Sequence, residues 1–497
     1  MPMYDLRSAL QDDPWQAMNE ALGKKTWRLR GPGWSALRVL GRRRVGSYLY
    51  VPYCPVCASQ AALTEAVRAT AGHRHPRMTY PRGKMEAMNL TRPETTHDVV
   101  IIGAGNAGIA LAARLRRDDP DLDIAIVSPE GLHTYRPLLS YVGVGLATLR
   151  RAQRPQSKQI PAGCTWYRES VVELTPAPVS GEVDATSAHQ VHTDAGRRIS
   201  ATDVVVCPGT HIDWDATPGL RQACASPHAS TNYEPTMASA TWDMLKNLRQ
   251  GNAVFTISSR NAPCPSVGLK PLFLAADHWR REGRLENITM TVLNENSDFT
   301  GLPRANNEID SRLRRLGVHV RSGITVESID ADSRHVTTRD VDGNATHWPY
   351  DALHVVPAHR GHDWVADAGI ARPGTGLIDV DERTLHHRRN DGIWSLGDAA
   401  QLGTASSGGG LRRQVPVLSD NLIARRNGKP LAARYDGYSV APIPIDRRRL
   451  ILAEWDRQGH EEQTLSFISL ARPRMATFAF DLFAQPLIYW HRLLKGK

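Results

Sequence analysis

Cysteine is scarce in this chain, at six in 497 residues. So few thiols in so long a chain cannot form a disulfide framework, and each must be judged singly as structural or reactive. Long apolar runs are also missing. No stretch of about 18 apolar residues occurs, which argues against a membrane-spanning helix. The N-terminus has no apolar core leading to a small-residue cleavage site, so no secretory leader is expected and a cytoplasmic placement is. Evenly spread positive charge is lacking too. The net charge is +10, but residues 1–94 hold 15 Lys/Arg against 7 Asp/Glu, so +8 of it lies in the first fifth of the chain. The near-neutral remainder presents no basic face for nucleic acid. No solenoid repeat is found. No metal is expected, because Cys54 and Cys57 with His73 and His75 have the wrong spacing for a zinc finger.

What is present is an ordinary hydrophobic content of 41% and a length that allows two or three domains with large cores. Residues 1–96 form a basic extension rich in Arg, Trp, Gly and Pro, with Met85 and Met88 near its end. Met88 is an alternative start. From 98 onward strand and helix signals alternate. Asp98–Gly103, Leu122–Val127, Thr202–Cys207, Ala253–Ile257 and Ile288–Leu293 read as buried strands, and 106–117 and 269–282 as helices. Such alternation favours an α/β fold with parallel sheets covered by helices. Two units are expected, near 98–210 and 250–330, with Ala352–Val356 and Gly392–Asp398 returning to the first.

Gly103-Ala-Gly105-Asn106-Ala-Gly108 follows a strand and opens a helix, which is the setting a dinucleotide fingerprint requires. The first glycine allows the tight turn, the second lets a pyrophosphate approach, and the third lets helix and strand pack closely. The free amides of the helix start face the phosphates. The acidic residue that would hold a ribose should end the next strand. Ser128 stands there and Glu130, two residues on, is the candidate. Trp394-Ser-Leu-Gly397-Asp398 is a second, remote strand ending in Gly-Asp, and this favours FAD over NAD. Val204–Gly209, ending in Pro208-Gly209, reads as the strand-to-turn crossing beneath the flavin. The expected fold is therefore two Rossmann-like dinucleotide-binding domains, the FAD domain interrupted by the second, with an amphipathic C-terminal region. The expected boundaries are 97–210 and 331–434 for the FAD domain, 211–330 for the second, and 435–497 for the C-terminal region.

Several further segments are similar to the sulfide:quinone oxidoreductases, particularly the mitochondrial-like branch. They are His133-Thr-Tyr135-Arg-Pro137 with Tyr141–Gly145, Asp213–Asp215, Ser230–Tyr233, Thr241-Trp242, Gly251–Thr256, Tyr435–Tyr438, Ile451–Trp455 and Pro486–His491. The similarity spans about 97–497. It implies a flavoprotein that oxidises sulfide or a related sulfur species at redox cysteines. Electrons would pass through FAD to quinone at a membrane surface touched by the C-terminal region. It is compatible with a homo-oligomer.

Within that resemblance Cys264 corresponds to the first redox cysteine, and Lys270 keeps the family's Cys-to-Lys spacing. A nearby lysine and a helix start would favour the reactive thiolate. The partner cysteine should follow Asp398, but Ala399 stands there. Ser406-Ser407-Gly408-Gly409-Gly410 replaces a region that should hold a lysine, and no cysteine follows Cys264. The Cys54-Pro-Val-Cys57 pair could be a dithiol. In residues 472–497, Phe478, Phe480, Phe483, Leu487, Ile488, Tyr489, Trp490, Leu493 and Leu494 accompany basic residues. That suits a membrane interface, and a core-covering segment is the competing reading. Two other functions stay open. A type II NADH:quinone dehydrogenase needs a second glycine fingerprint, and Val254–Ser259 leads into Arg260–Cys264 without one. A degenerate flavin-binding protein without catalysis would explain Ala399.

Overall fold

The computed structural model describes residues 94–178, 188–462, 464 and 469–497. The basic extension and the Cys54–Cys57 pair lie outside the described residues. Two large sheets, one mixed and one parallel, organise the rest.

In the first sheet, β1 (Thr95–Ile102) lies between β2 (Ile124–Val127) and a long strand at Arg198–Val206. Val99 to Ile102 are 0–3% exposed. Each such apolar side chain contributes about 1.5–3 kcal/mol by leaving water, and burial on both faces explains the continuous apolar run. β3 (Cys164–Tyr167) continues the sheet beyond β2. β4 (Val171–Thr175) and β5 (His189–Thr193) add antiparallel strands beyond Arg198–Val206, which is β6. The short strand Ile393–Trp394 pairs in parallel with β6 after the whole second domain has intervened. Helix α1 (Asn106–Asp118) follows β1 directly and buries Ile109, Leu111 and Leu115 against the sheet.

The second sheet is parallel in the order β7-β11-β8-β9-β10. The strands are β7 (Ala229–Ser230), β8 (Gly251–Ile257), β9 (Ile288–Asn294), β10 (His319–Ser322) and β11 (Ala352–Val356). Helix α2 (Leu269–Arg281) follows β8 and buries Leu269, Leu272, Phe273 and Trp279. One expectation is corrected here. Ala352–Val356 does not return to the first unit but pairs with β8, Ala253 opposite Ala352 and Ile257 opposite Val356. The second domain therefore extends beyond 330, to at least Val356. An unbroken apolar run signals burial on both faces but does not specify which sheet is joined.

Helix α3 (Leu411–Arg426) packs on α1. It is tied to β6 by Asp203, which is fully buried and accepts from Trp394 Nε1 (2.8 Å), Arg425 Nη1 (3.2 Å) and Arg426 Nη1 (3.2 Å). An antiparallel hairpin follows, β12 (Ser439–Pro444) with β13 (Leu450–Trp455). The C-terminal segment is helical through Met475–Ala479, a π-turn at Phe480–Ala484 and Gln485–His491.

Candidate functional site

Gly103 leaves β1 with φ +104°, and its amide donates to Val127 O at 2.9 Å. A Cβ there would lie 2.4 Å from Cys207 O and 2.8 Å from Pro208 Cα, so only glycine lets β6 end against the turn. A Cβ at Gly108 would lie 1.9 Å from Gly103 O, which is the close helix–strand packing expected of the third glycine. Gly105 differs, since no atom lies within 4 Å of where its Cβ would be. It is the N-cap of α1 and supplies no side-chain cap, so the first helical amides are left for another acceptor. Thr210 Oγ1 and His211 Nδ1, which follow Gly209 in the chain, are buried without a hydrogen-bond partner. Buried polar groups are rarely left so unless a ligand or water completes them.

Glu130 folds back at the end of β2, where the Ser128 hydroxyl donates to its carboxylate. The remote Gly-Asp motif arrives at the same place. A Cβ on Gly397 would be 3.2 Å from the Ala107 side chain, and Gly397 N donates to Gln414 Oε1 at 2.9 Å. Gly103, Gly105, Asn106, Gly108, Gly209, Gly397 and Asp398 are thus gathered around one turn from three distant stretches of chain. An open cradle, free helix-start amides and two orphaned polar atoms fit a dinucleotide. FAD is the cofactor of this arrangement.

The thiol site adjoins it. Cys264 N donates to Ser406 O at 3.1 Å, Tyr233 Oη donates to Cys264 O at 3.2 Å, and the thiol reaches Val440 O at 3.6 Å. Ser406 also hydrogen-bonds the Asp398 side chain. Cys264 therefore sits against the loop that follows Gly397-Asp398, although 133 positions separate it from Gly397. Its backbone is left-handed, φ +45°, as is Asn261 at +51°. Non-glycine residues adopt this conformation rarely, and such strain concentrates at functional sites.

The expectation of a ready thiolate is corrected. Burial pushes the Cys264 thiol up to about 12, and the opposing pull of Lys270 is weaker. A 3-10 turn, Pro265–Gly268, also separates the thiol from α2. Burial likewise raises the Asp398 carboxyl above its usual range, against the lowering effects of Ser406 and Arg136. Lys270 is 1% exposed and pairs with Asp481 at 3.1 Å. The glycine run has a packing reason, since a Cβ at Gly409 would lie 2.2 Å from Val440 Cγ1 and one at Gly410 3.1 Å from Tyr438 O. Cys207 packs against the Gly103 turn, with its Sγ 3.8 Å from Gly103 O, and burial raises the Cys164, Cys207 and Cys224 thiols to about 11, 12 and 12.

Sequence reasoning missed how the C-terminal segment enters this site. Tyr489 Oη donates to Asn106 Oδ1 at 2.5 Å and is also bonded to His133, whose Nδ1 is 3.1 Å from Ala104 O. Its ring stacks on Tyr135, centroids 4.3 Å apart. Phe478, Tyr489, Trp490 and Leu494 are buried, whereas Met475, Phe483 and Leu487 are 65%, 56% and 59% exposed. The segment thus covers the core with one face and leaves apolar side chains outward on the other. Among the described residues no helix is long and apolar enough to cross a membrane, and no cluster of His, Cys, Asp and Glu could hold a metal.

The second domain has its own strand-end acid, Glu295, directly after β9. It is already occupied. Ser258 Oγ (3.0 Å), Ser259 N (3.0 Å) and Val326 N (3.1 Å) all donate to its carboxylate.

Residues 97–241 match the family described as pyridine nucleotide-disulphide oxidoreductase. The mitochondrial sulfide:quinone oxidoreductase of Dictyostelium discoideum is 29% identical over 416 residues, which is 83% of this chain and 88% of the relative. The Mus musculus enzyme of the same name is 26% identical, covering 80% of this chain and 87% of the relative. The solved sulfide:quinone oxidoreductase from Aquifex aeolicus superposes with a TM-score of 0.66 at 16% identity, over 81% of this chain and 92% of that one. The fold and these similarities define a flavoprotein oxidoreductase with two dinucleotide-type domains. Within that class the chain is similar to the sulfide:quinone oxidoreductases along most of its length.

Proposed function

We propose that the protein oxidises sulfide or a related sulfur species at Cys264 and delivers the electrons to quinone. The observation that supports this most is that Cys264 meets the loop after Asp398, whose neighbour Gly397 packs on the glycine turn. Gly103, Gly105, Asn106 and Gly108 would hold the pyrophosphate of FAD, Glu130 the ribose, and Gly209, Gly397 and Asp398 the remainder. Bound FAD supplies a two-electron relay between the sulfur donor and quinone.

Cys264 would carry the donor sulfur as a persulfide. A thiol and hydrogen sulfide form one S–S bond with the loss of two electrons and two protons, so a single cysteine balances the step when the cofactor takes the electrons. Lys270 would favour the thiolate needed for that bond. Tyr233 and Ser406 hold the Cys264 backbone in place. The outward side chains Met475, Phe483 and Leu487 would rest on a membrane surface, where quinone is found.

The NADH reading is disfavoured by the absence of a glycine fingerprint after β8 and by the occupied Glu295. Ala399 favours a second reading, a flavin protein without thiol chemistry. Anaerobic addition of sulfide to the FAD-loaded protein should bleach the flavin band, and a short-chain quinone should restore it. Cys264→Ser should retain FAD and lose the bleaching. Bleaching by NADH instead, or by neither donor, would overturn the proposal.

A further inference from the structure

A buried ionic group links the thiol helix to the C-terminal segment. Lys270, six residues after Cys264 on α2, is 1% exposed, and its Nζ lies 3.1 Å from Asp481 Oδ2. Asp481 is 8% exposed and also accepts from Tyr141 Oη at 2.5 Å. The Lys270 ammonium stands 4.6 Å from the centroid of the Tyr141 ring. Asp481 belongs to the π-turn Phe480–Ala484, a rare geometry that recurs at functional sites. A buried lysine costs several kcal/mol unless paired, so this carboxylate fixes the Lys270 side chain on the helix that follows the thiol turn.

We propose that Asp481 is a positioning residue of the thiol site, acting through Lys270 to hold a fixed positive charge that promotes ionisation of Cys264. This rests on the reading of Cys264 as the reacting thiol. The charged and titratable groups that influence this thiol are Lys270, Asp398 and Asp481, and Tyr233 touches its carbonyl. Lys270 favours ionisation, while Asp398 and Asp481 oppose it, and the pull of Lys270 exceeds the direct push of Asp481. The proposal therefore differs in sign from simple electrostatics. Acting through space alone, loss of the Asp481 charge would make Cys264 ionise more readily. Acting through Lys270, its loss releases the ammonium from its fixed position and makes ionisation harder.

The test is the pH dependence of iodoacetamide alkylation at Cys264, followed by mass spectrometry of the peptide that contains it, in the full-length FAD-loaded chain. Asp481→Asn is expected to alkylate about tenfold more slowly at neutral pH, the slowing that a one-unit change in thiol ionisation produces. Asp481→Glu is expected to restore the rate. In a Lys270→Met background, Asp481→Asn should cause no further slowing, because the residue it acts through is gone. That double variant has lost both charges and is the one expected to fold if either single variant does not. In that event the double variant itself must alkylate about tenfold more slowly than wild type, and an unchanged rate would refute the idea. So would an Asp481→Asn rate equal to or above wild type, or equal slowing with and without Lys270. No sulfide or quinone enters this assay, so failure of sulfide to bleach the flavin would overturn the functional reading and leave this result to stand by itself.

Discussion

Gly103 and Gly105, two positions apart, face opposite constraints. A side chain at Gly103 meets Cys207 O at 2.4 Å with φ at +104°, so Gly103→Ala should destabilise the protein itself by about 1–3 kcal/mol. A side chain at Gly105 meets no protein atom, and its φ of −74° suits any residue. Gly105→Ala should therefore leave the unfolding midpoint of flavin-free protein unchanged while weakening FAD retention. Denaturant unfolding and the flavin-to-protein absorbance ratio separate the two effects. Equal loss of stability in both variants would contradict the assignment of Gly105 to cofactor approach. At Tyr489 the hydroxyl bridges His133 and Asn106, and Tyr489→Phe keeps the stack on Tyr135. That change should cost about 1 kcal/mol, the net worth of such a hydrogen bond, measured by the same unfolding experiment.

Among the elements, α3 is secured to β6 by the Asp203 carboxylate with Arg425, Arg426 and Trp394. Asp203 is wholly buried, whereas both arginines keep a quarter of their side-chain surface in solvent. Asp203→Asn breaks a buried pair, a change that costs about 3–5 kcal/mol where the partner cannot escape. Because the arginines can turn to water, the measured loss should fall at or below the lower end of that range. Most of this architecture was readable from residue pattern. The strand–glycine–helix run at 98–117 specified β1, the turn and α1, because periodicity and turn chemistry are both local. The sheet joined by Ala352–Val356 was not readable, since its apolar run fits either sheet equally. The hairpin β12–β13 was missed because Pro442 and Pro444 interrupt the strand signal. Asp481 was passed over for a related reason. One acid in an apolar segment looks like part of a solvated face, and its buried partners Lys270 and Tyr141 are 211 and 340 positions away.

Across the whole molecule, burial holds several histidines uncharged. Desolvation lowers His133, His189 and His359 to about 4 and His354 to about 3, from an ordinary 6.5. Their folded values are depressed, so the unfolded chain binds more protons between roughly pH 6.5 and 4. Their contribution to stability is present in full above 6.5 and declines as the pH falls through that window. Unfolding there should take up protons, and the denaturant midpoint should drop on acidification. A midpoint independent of pH across this range would show that these rings are hydrated.

The Glu295 carboxylate has a consequence for engineering. It is saturated by Ser258, Ser259 and Val326, which closes the second domain upon itself. Grafting glycines after β8 would still leave the strand-end acid engaged and not free for the adenosine ribose of a pyridine nucleotide. Conversion to a pyridine-nucleotide enzyme would therefore require changes both at the turn after β8 and among the donors that hold Glu295.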